Sequence, residues 1–348
     1  MTADFPKGRA PSIRDVARLA EVSHQTVSRV LNEHPSIRDS TRARVRRAMD
    51  ELQYRPNQAA RALSKGRTRT IGVLSASSSQ YGPTRCIAAI EDAAREQGYF
   101  VDTANLATAD SASITGALEH LQDQNVEGLV ILAPQVRVFD VLAGMTLDVP
   151  YVTLHSTGGE GADARAADQI AGARLVTRHL IDLGHRDIVH LAGPQDWIEA
   201  EARMRGFLDE IDHADLSTHP PILGDWTADF GYFAGQELLR VRDFTAVFAA
   251  NDEMALGLLH ALHDAGLRVP EDVSVVGFDD IPLARHAWPP LTTVHQDFPA
   301  TGRRALALLL AQMQGQSDHT EDPPVARLVV RASSGAVPGR NTLLPKRY

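Results

Sequence analysis

Cysteine is nearly absent: Cys86 is the only one in 348 residues. A lone thiol closes no disulfide within the chain, which excludes a stapled secreted scaffold and points to a reducing compartment. No apolar run approaches the roughly 20 residues that span a bilayer. The opening Met-Thr-Ala-Asp-Phe-Pro-Lys has no apolar signal core. The expectation is a cytoplasmic protein with no membrane partner. Catalytic signatures are missing as well. There is no P-loop, no HExxH and no G-x-S-x-G. None of the 14 histidines pairs with cysteine at zinc spacing, and His185 and His190 stand five apart with no evident carboxylate helper. The chain reads as a non-enzyme, with no metal and no cofactor.

What is present begins with charge. Residues 1–69 hold 15 Lys and Arg against 7 Asp and Glu, while the chain as a whole carries −9. The remainder is therefore strongly acidic. A basic head on an acidic body suits a regulator that touches nucleic acid with one part only.

The head has the pattern to match. Residues 12–32 read as helix, tight turn, helix. Ser12 with Asp15 three residues on resembles a capping box, and Ser23 is a second N-cap candidate. Ile13, Val16, Ala17 and Ala20 share one face of the first helix; Val27, Val30 and Leu31 form the inward stripe of the second. That leaves His24, Gln25, Ser28 and Arg29 outward, where they can reach base edges or phosphates in a major groove. A third helix carries the Val45, Ala48, Met49 and Leu52 stripe, flanked by Arg42, Arg44, Arg46 and Arg47. Pro56 is expected to end it. From there to Gly66 runs a helix-favouring stretch too short to be stable alone. It is either a segment that folds on a partner surface or a plain linker.

From Thr70 onward short apolar strands alternate with helices. The strands are expected at 71–74, 100–104, 128–132, 151–154, 188–192, 246–250 and 273–278. The helices between them are expected at 86–98, up to about 124, 171–183, 198–211 and 252–265. This is the pattern of parallel sheets covered on both faces, and there are too many strands for one sheet. Two α/β lobes follow. Ligands bind beyond the carboxyl ends of such strands, where His155, Asn251-Asp252 and Asp279-Asp280 stand. A metal pair at Asp279-Asp280 is less in keeping than a polar strand end that meets ligand hydroxyls.

In order along the chain, several segments resemble the lactose/galactose repressor family of bacterial transcription regulators. They are Ile13-Arg14-Asp15-Val16-Ala17, Gln25 to Asn32, Tyr54-Arg55-Pro56-Asn57, His179 to His185, Gly224-Asp225-Trp226, Ala250 to Gly257, Val273 to Asp280 and Pro290-Leu291-Thr292-Thr293. The resemblance implies an α/β protein. An N-terminal three-helix, helix-turn-helix head (1–55) would be followed by a hinge helix or linker (56–69). A two-lobed, periplasmic-binding-protein-like core of parallel sheets flanked by helices (70–340) would come next, with a tail at 341–348. The lobes would be about 70–165 with 293–325, and about 166–292 with 326–340.

The resemblance also implies site residues. Ser23, His24, Gln25, Thr26, Ser28, Arg29, Asn32, Tyr54, Asn57 and Ala60 would meet DNA, and Leu63 would wedge into the minor groove of a roughly palindromic operator. His155, Glu199, Arg203, Trp226, Asn251, Asp279, Gln296 and Phe298 would hold a small sugar or glycoside between the lobes. The residue types suit that ligand. Carboxylate, amide and guanidinium groups pair with vicinal hydroxyls, and an aromatic face covers the apolar side of a ring. Two positions depart from a galactoside-responsive pattern: His155 stands in place of an aspartate and Glu199 in place of a serine. They turn the expectation from a simple galactoside toward another glycoside. The expected protein is a homodimeric repressor released from its operator by the sugar. A co-repressor mode, an activator and a sugar-transport binding protein remain as alternatives.

Overall fold

The computed structural model describes residues 11–32, 34–55, 67–76, 80–154, 162–316 and 325–337, with the backbone alone for 162–168. The chain divides into two compact units, 1–69 and 70–348. The stretch expected to form the hinge helix, with Asn57, Ala60 and Leu63, lies outside the described residues, as does His155.

In the first unit, α1 (Ile13–Leu19), α2 (His24–Leu31) and α3 (Asp39–Glu51) enclose a small core of Val16, Ala17, Ala20, Val27, Val30, Val45 and Ala48. The caps are the ones the sequence suggests. The Asp15 carboxylate accepts from the backbone N–H of Ser12 at 2.9 Å and from its hydroxyl at 2.6 Å. Ser23 Oγ accepts from the N–H of Thr26 at 3.1 Å. The α1 helix is closed by Glu21 in the left-handed region (φ 50°), with the N–H of Val22 donating to the carbonyl of Ala17. That is a Schellman ending, which aims the chain into the tight turn before α2. The end of α3 differs from expectation. It stops at Glu51, ahead of Pro56, because Gln53 turns left-handed (φ 48°) and the N–H of Tyr54 reaches back to the carbonyl of Met49. Local hydrogen bonding ends this helix before proline can.

The second unit contains two four-stranded parallel sheets. The first has the order β2-β1-β3-β4, with β1 Thr70–Ser75, β2 Phe100–Asn105, β3 Gly128–Leu132 and β4 Tyr151–Thr153. Its helices are α4 (Tyr81–Glu96), α5 (Ser111–Asp123) and α6 (Val136–Gly144). The second has the order β6-β5-β7-β8, with β5 Ile188–Ala192, β6 Ile222–Leu223, β7 Ala246–Ala249 and β8 Ser274–Val276. Its helices are α7 (Ala162–Asp182), α8 (Ile198–His213), α9 (Ala228–Val241) and α10 (Asp252–Asp264). Strands β3, β5 and β7 are buried along their whole length, as strands covered on both faces must be.

The chain then crosses back. A short antiparallel pair joins β9 (Thr293–His295) to β10 (Arg327–Val329), and α11 (Phe298–Met313) packs on α4 beside the first sheet. Each sheet has a core on both faces. Leu74, Leu118, Leu129 and Ile131 fill one side of the first and Ile71, Ile90, Val130 and Leu306 the other. In the second lobe Phe207, Phe248 and Phe278 fill one side, and Trp226, Val247, Met254 and Leu258 the other. Among the described residues, six α-helices and strands, and the 3-10 turn Ala284–His286, escape the sequence pattern. Helices α6 and α9 are amphipathic without a strong motif, and α11 is marked only by its Asp297-Phe298-Pro299 start. Strands β6, β9 and β10 have only two or three residues each.

Candidate functional site

In the head, His24, Gln25, Arg29 and Asn32 are exposed on or next to α2, while Val27 and Val30 are buried beneath them. Thr26 and Ser28 are half-buried, and the Thr26 hydroxyl meets Ser23 Oγ at 2.9 Å. Ser23 and Thr26 thus rigidify the start of α2. His24, Gln25 and Arg29 stand on the rigid face that results. Tyr54 is half-buried and packs against the head core. A capped helix with an outward polar face, in a unit with excess positive charge, can enter a major groove and place side chains on base edges.

In the second unit a cleft opens beyond the carboxyl ends of the strands of both lobes. Its empty volume is about 1410 Å³, counting the part open to solvent. Seven of the eight expected effector residues line it: Glu199, Arg203, Trp226, Asn251, Asp279, Gln296 and Phe298. Residues more than 90 positions apart in sequence are brought to one cleft, with Glu199 and Arg203 on the first turns of α8.

The polar residues form a closed circuit. Arg203 Nε donates to Gln169 Oε1 at 2.9 Å, and Gln169 Nε2 donates to Gln296 Oε1 at 2.6 Å. Gln296 Nε2 donates to Asp279 Oδ1 at 2.6 Å. The same oxygen lies 3.3 Å from Arg203 Nη2, which completes the ring. Arg203 Nη1 donates to the carbonyl of Ala250 at 2.5 Å, and the guanidinium lies over the Phe278 ring, 4.0 Å from its centroid. Such a group is fixed in charge and direction. Burial pushes the Asp279 carboxyl up to about 6, and this outweighs the pull of Arg203 and Gln296. Gln169 was not foreseen: a single polar residue inside a helix carries no motif.

Asn251 has a local duty. Its Oδ1 accepts the N–H of Met254 at 2.9 Å, which caps α10, and its Nδ2 donates to the carbonyl of Trp226 at 2.9 Å. Trp226 has φ 73° and is only 5% exposed. Its ring lies so close to Gly193 that a Cβ there would come within 2.2 Å of it. Trp197, at the start of α8, meets Trp226 edge to face at 5.7 Å. Trp197 packs against core residues of both lobes. Its backbone forms an antiparallel bridge with Gln135 of the first lobe. Phe298 begins α11 behind the Asp297 cap and meets Tyr81 edge to face at 5.9 Å. The Cys86 thiol, also on the cleft, is pushed up to about 12, mainly by burial and then by Glu199 and Asp297. It is inert as a nucleophile.

The Asp279-Asp280 pair faces two ways. Asp280 Oδ1 accepts from Arg331 Nη2 at 2.5 Å and Oδ2 lies 3.0 Å from His295 Nδ1, away from the Arg203 circuit. Among the described residues no cluster of His, Cys, Asp and Glu is suited to hold a metal. None of their helices is long and apolar enough to cross a membrane.

Comparison with known proteins finds a separate match within each unit. Residues 12–57 match the bacterial regulatory proteins of the lacI family, and residues 177–334 match a periplasmic binding protein-like domain. The lactose operon repressor of Escherichia coli K12 is 34% identical over 338 residues, covering 96% of this chain and 93% of its own. The structure of the lac repressor dimer bound to operator and the anti-inducer ONPF superposes with a TM-score of 0.85 at 33% identity, covering 94% of this chain and all of the other. A complex of the transcriptional regulator CelR with cellobiose superposes at 0.66 with 32% identity, covering 93% and 100%. The chain belongs to the lacI family of bacterial regulatory proteins.

Proposed function

We propose that this chain is a sequence-specific transcriptional repressor, homodimeric and cytoplasmic, that a sugar or glycoside releases from its operator. It has no catalytic role in this reading. The observation that carries it is one chain holding both parts: an exposed His24-Gln25-Arg29 face on a helix capped by Ser23, and a cleft built from the Arg203-Gln169-Gln296-Asp279 circuit with aromatic walls. Relatives supply both kinds of ligand, operator DNA for the lac repressor and cellobiose for CelR.

The steps follow from linkage. Two heads of the dimer take the two halves of a roughly palindromic site. Arg29 and Gln25 read bases, while His24, Ser28 and Asn32 contact bases or phosphates. Leu63, by resemblance, wedges into the minor groove. In the cleft Asp279 and Arg203 pair with vicinal hydroxyls, and Asn251 adds its remaining amide hydrogen. The sugar favours one arrangement of the two lobes over the other. If DNA favours the opposite arrangement, each ligand weakens the other by the same factor.

Operator selection from genomic DNA with the full chain, with and without a panel of sugars, tests this. The expected result is an enriched palindrome that a sugar removes from the bound fraction. Enrichment that requires a sugar would establish the co-repressor mode instead. No enrichment under either condition would overturn the assignment.

A further inference from the structure

The cleft's foreseen polar residues are largely committed to one another. Each nitrogen of Arg203 already has a protein partner, Asn251 caps a helix, and Gln169, Gln296 and Asp279 close their circuit. Glu253 is different. It sits on the first turn of α10, lines the same cleft and is half-buried, yet it makes no hydrogen bond or ion pair with a described residue. In Trp226, which lines the same cleft, Nε1–H is a buried donor with no partner among the described residues. An acceptor and a donor without partners among the described residues, in a cleft whose Arg203-Gln169-Gln296-Asp279 circuit is closed, mark where a ligand's polar groups go.

The charge around them restricts that ligand. Carboxylates of Glu199, Glu253, Asp279 and Asp297 line the cleft against the guanidinium groups of Arg203 and Arg304, and Arg203 is already matched by Asp279. We infer that Glu253 is a specificity-determining contact of the effector cleft, taking a hydroxyl or amino group of an uncharged or cationic sugar and rejecting phosphorylated ones. The inference rests on reading the cleft as the effector site. Burial and then Asp279 push the Glu253 carboxyl up to about 7, although it lies at the positive end of a helix. A carboxyl balanced near neutrality can donate to a hydroxyl or accept from one. A phosphate would add negative charge beside Asp279, where burial already disfavours it.

Isothermal titration of the full chain with matched probes tests the inference: glucose, galactose, glucosamine and cellobiose against glucose 6-phosphate, galactose 6-phosphate and cellobiose 6-phosphate. The expected result is a neutral or amino sugar that binds at least 100-fold more tightly than its phosphate. Glu253→Ala should weaken that sugar at least tenfold. Glu253→Gln, which keeps shape and hydrogen bonding, should bind it within about threefold of wild type and lose at least tenfold of the discrimination against phosphate. A phosphate that binds as well as its parent overturns the inference. So does wild-type affinity in Glu253→Ala, or undiminished discrimination in Glu253→Gln, since rejection would then be steric. If no probe of either kind binds, the reading of the cleft as a sugar site falls, and the role of Glu253 with it.

Discussion

Asp279 and Asp280 are adjacent and both adopt left-handed backbone angles, φ 108° and 55°, so their carboxylates serve different parts of the molecule. Asp279 closes the circuit with Arg203 and Gln296 in the cleft. Asp280 holds Arg331 and His295, where the chain passes between the lobes. One residue belongs to the cleft circuit and the other to the scaffold. Substitutions should separate them.

Asp280→Ala should lower unfolding free energy by about 3 kcal/mol. It leaves the Arg331 guanidinium, whose side chain is 15% exposed, without its carboxylate. Urea denaturation reads this directly. An unchanged midpoint would mean that the pair contributes nothing.

Arg203→Ala and Gln169→Ala should each abolish the response to sugar while the protein stays bound to its operator. Both break the circuit on the side of the second lobe. A variant that still releases DNA at the wild-type sugar concentration would remove that residue from the site.

Gly193→Ala forces a methyl into the Trp226 ring, which packs edge to face on Trp197 while Asn251 holds the Trp226 carbonyl. Overpacking of this kind costs about 1–3 kcal/mol. The expected outcome is a lower melting temperature, altered tryptophan emission and weakened sugar binding. Wild-type emission and affinity together would show that the ring has room to move.

His190 is fully buried, with Nδ1 3.0 Å from the carbonyl of Phe248 and its ring stacked against both Phe207 and Phe248. Burial pushes its pKa down to about 4. Between its ordinary value near 6.5 and 4, the unfolded chain binds a proton that the folded chain refuses. This contribution to stability is therefore present above about pH 6.5 and lost as pH falls toward 4, by up to ~3 kcal/mol. Unfolding free energies of wild type and His190→Phe should diverge in slope across that window. Parallel curves would contradict it.

Arg29→Ala should cost about 1–3 kcal/mol of operator affinity if Arg29 meets a base edge. Its exposure predicts an unchanged melting temperature. Fluorescence anisotropy and calorimetry measure the two separately, and full affinity in the variant would remove Arg29 from the reading face.

Much of this was legible because local physics and function coincide. Ser12, Asp15 and Ser23 cap their helices for reasons visible in three-residue spacing. Val130, Ile131 and Leu132 read as a buried strand because both their faces are covered. What stayed hidden depends on distant partners. Gln169 is one polar residue on a long helix, and only the fold brings it to Arg203 and Gln296. Glu253 reads as an ordinary acidic residue in a helix's first turn until burial and Asp279 are seen beside it. Asn251 stands at a strand end, which suggests a ligand contact, yet most of its hydrogen-bonding capacity holds α10 and Trp226. Helix α11 carried a usable signal, Asp297 as N-cap with Pro299 just inside the helix, of the kind that marks a helix start.

The proposed function couples the head to the cleft through one chain. Its most direct measurement is the affinity of the full chain for its selected operator, by anisotropy, with and without the sugar that calorimetry identifies. The sugar is expected to weaken operator binding at least tenfold in wild type and to leave it unchanged in Asp279→Asn. A sugar that binds the cleft of the wild-type protein and leaves operator affinity untouched would contradict it.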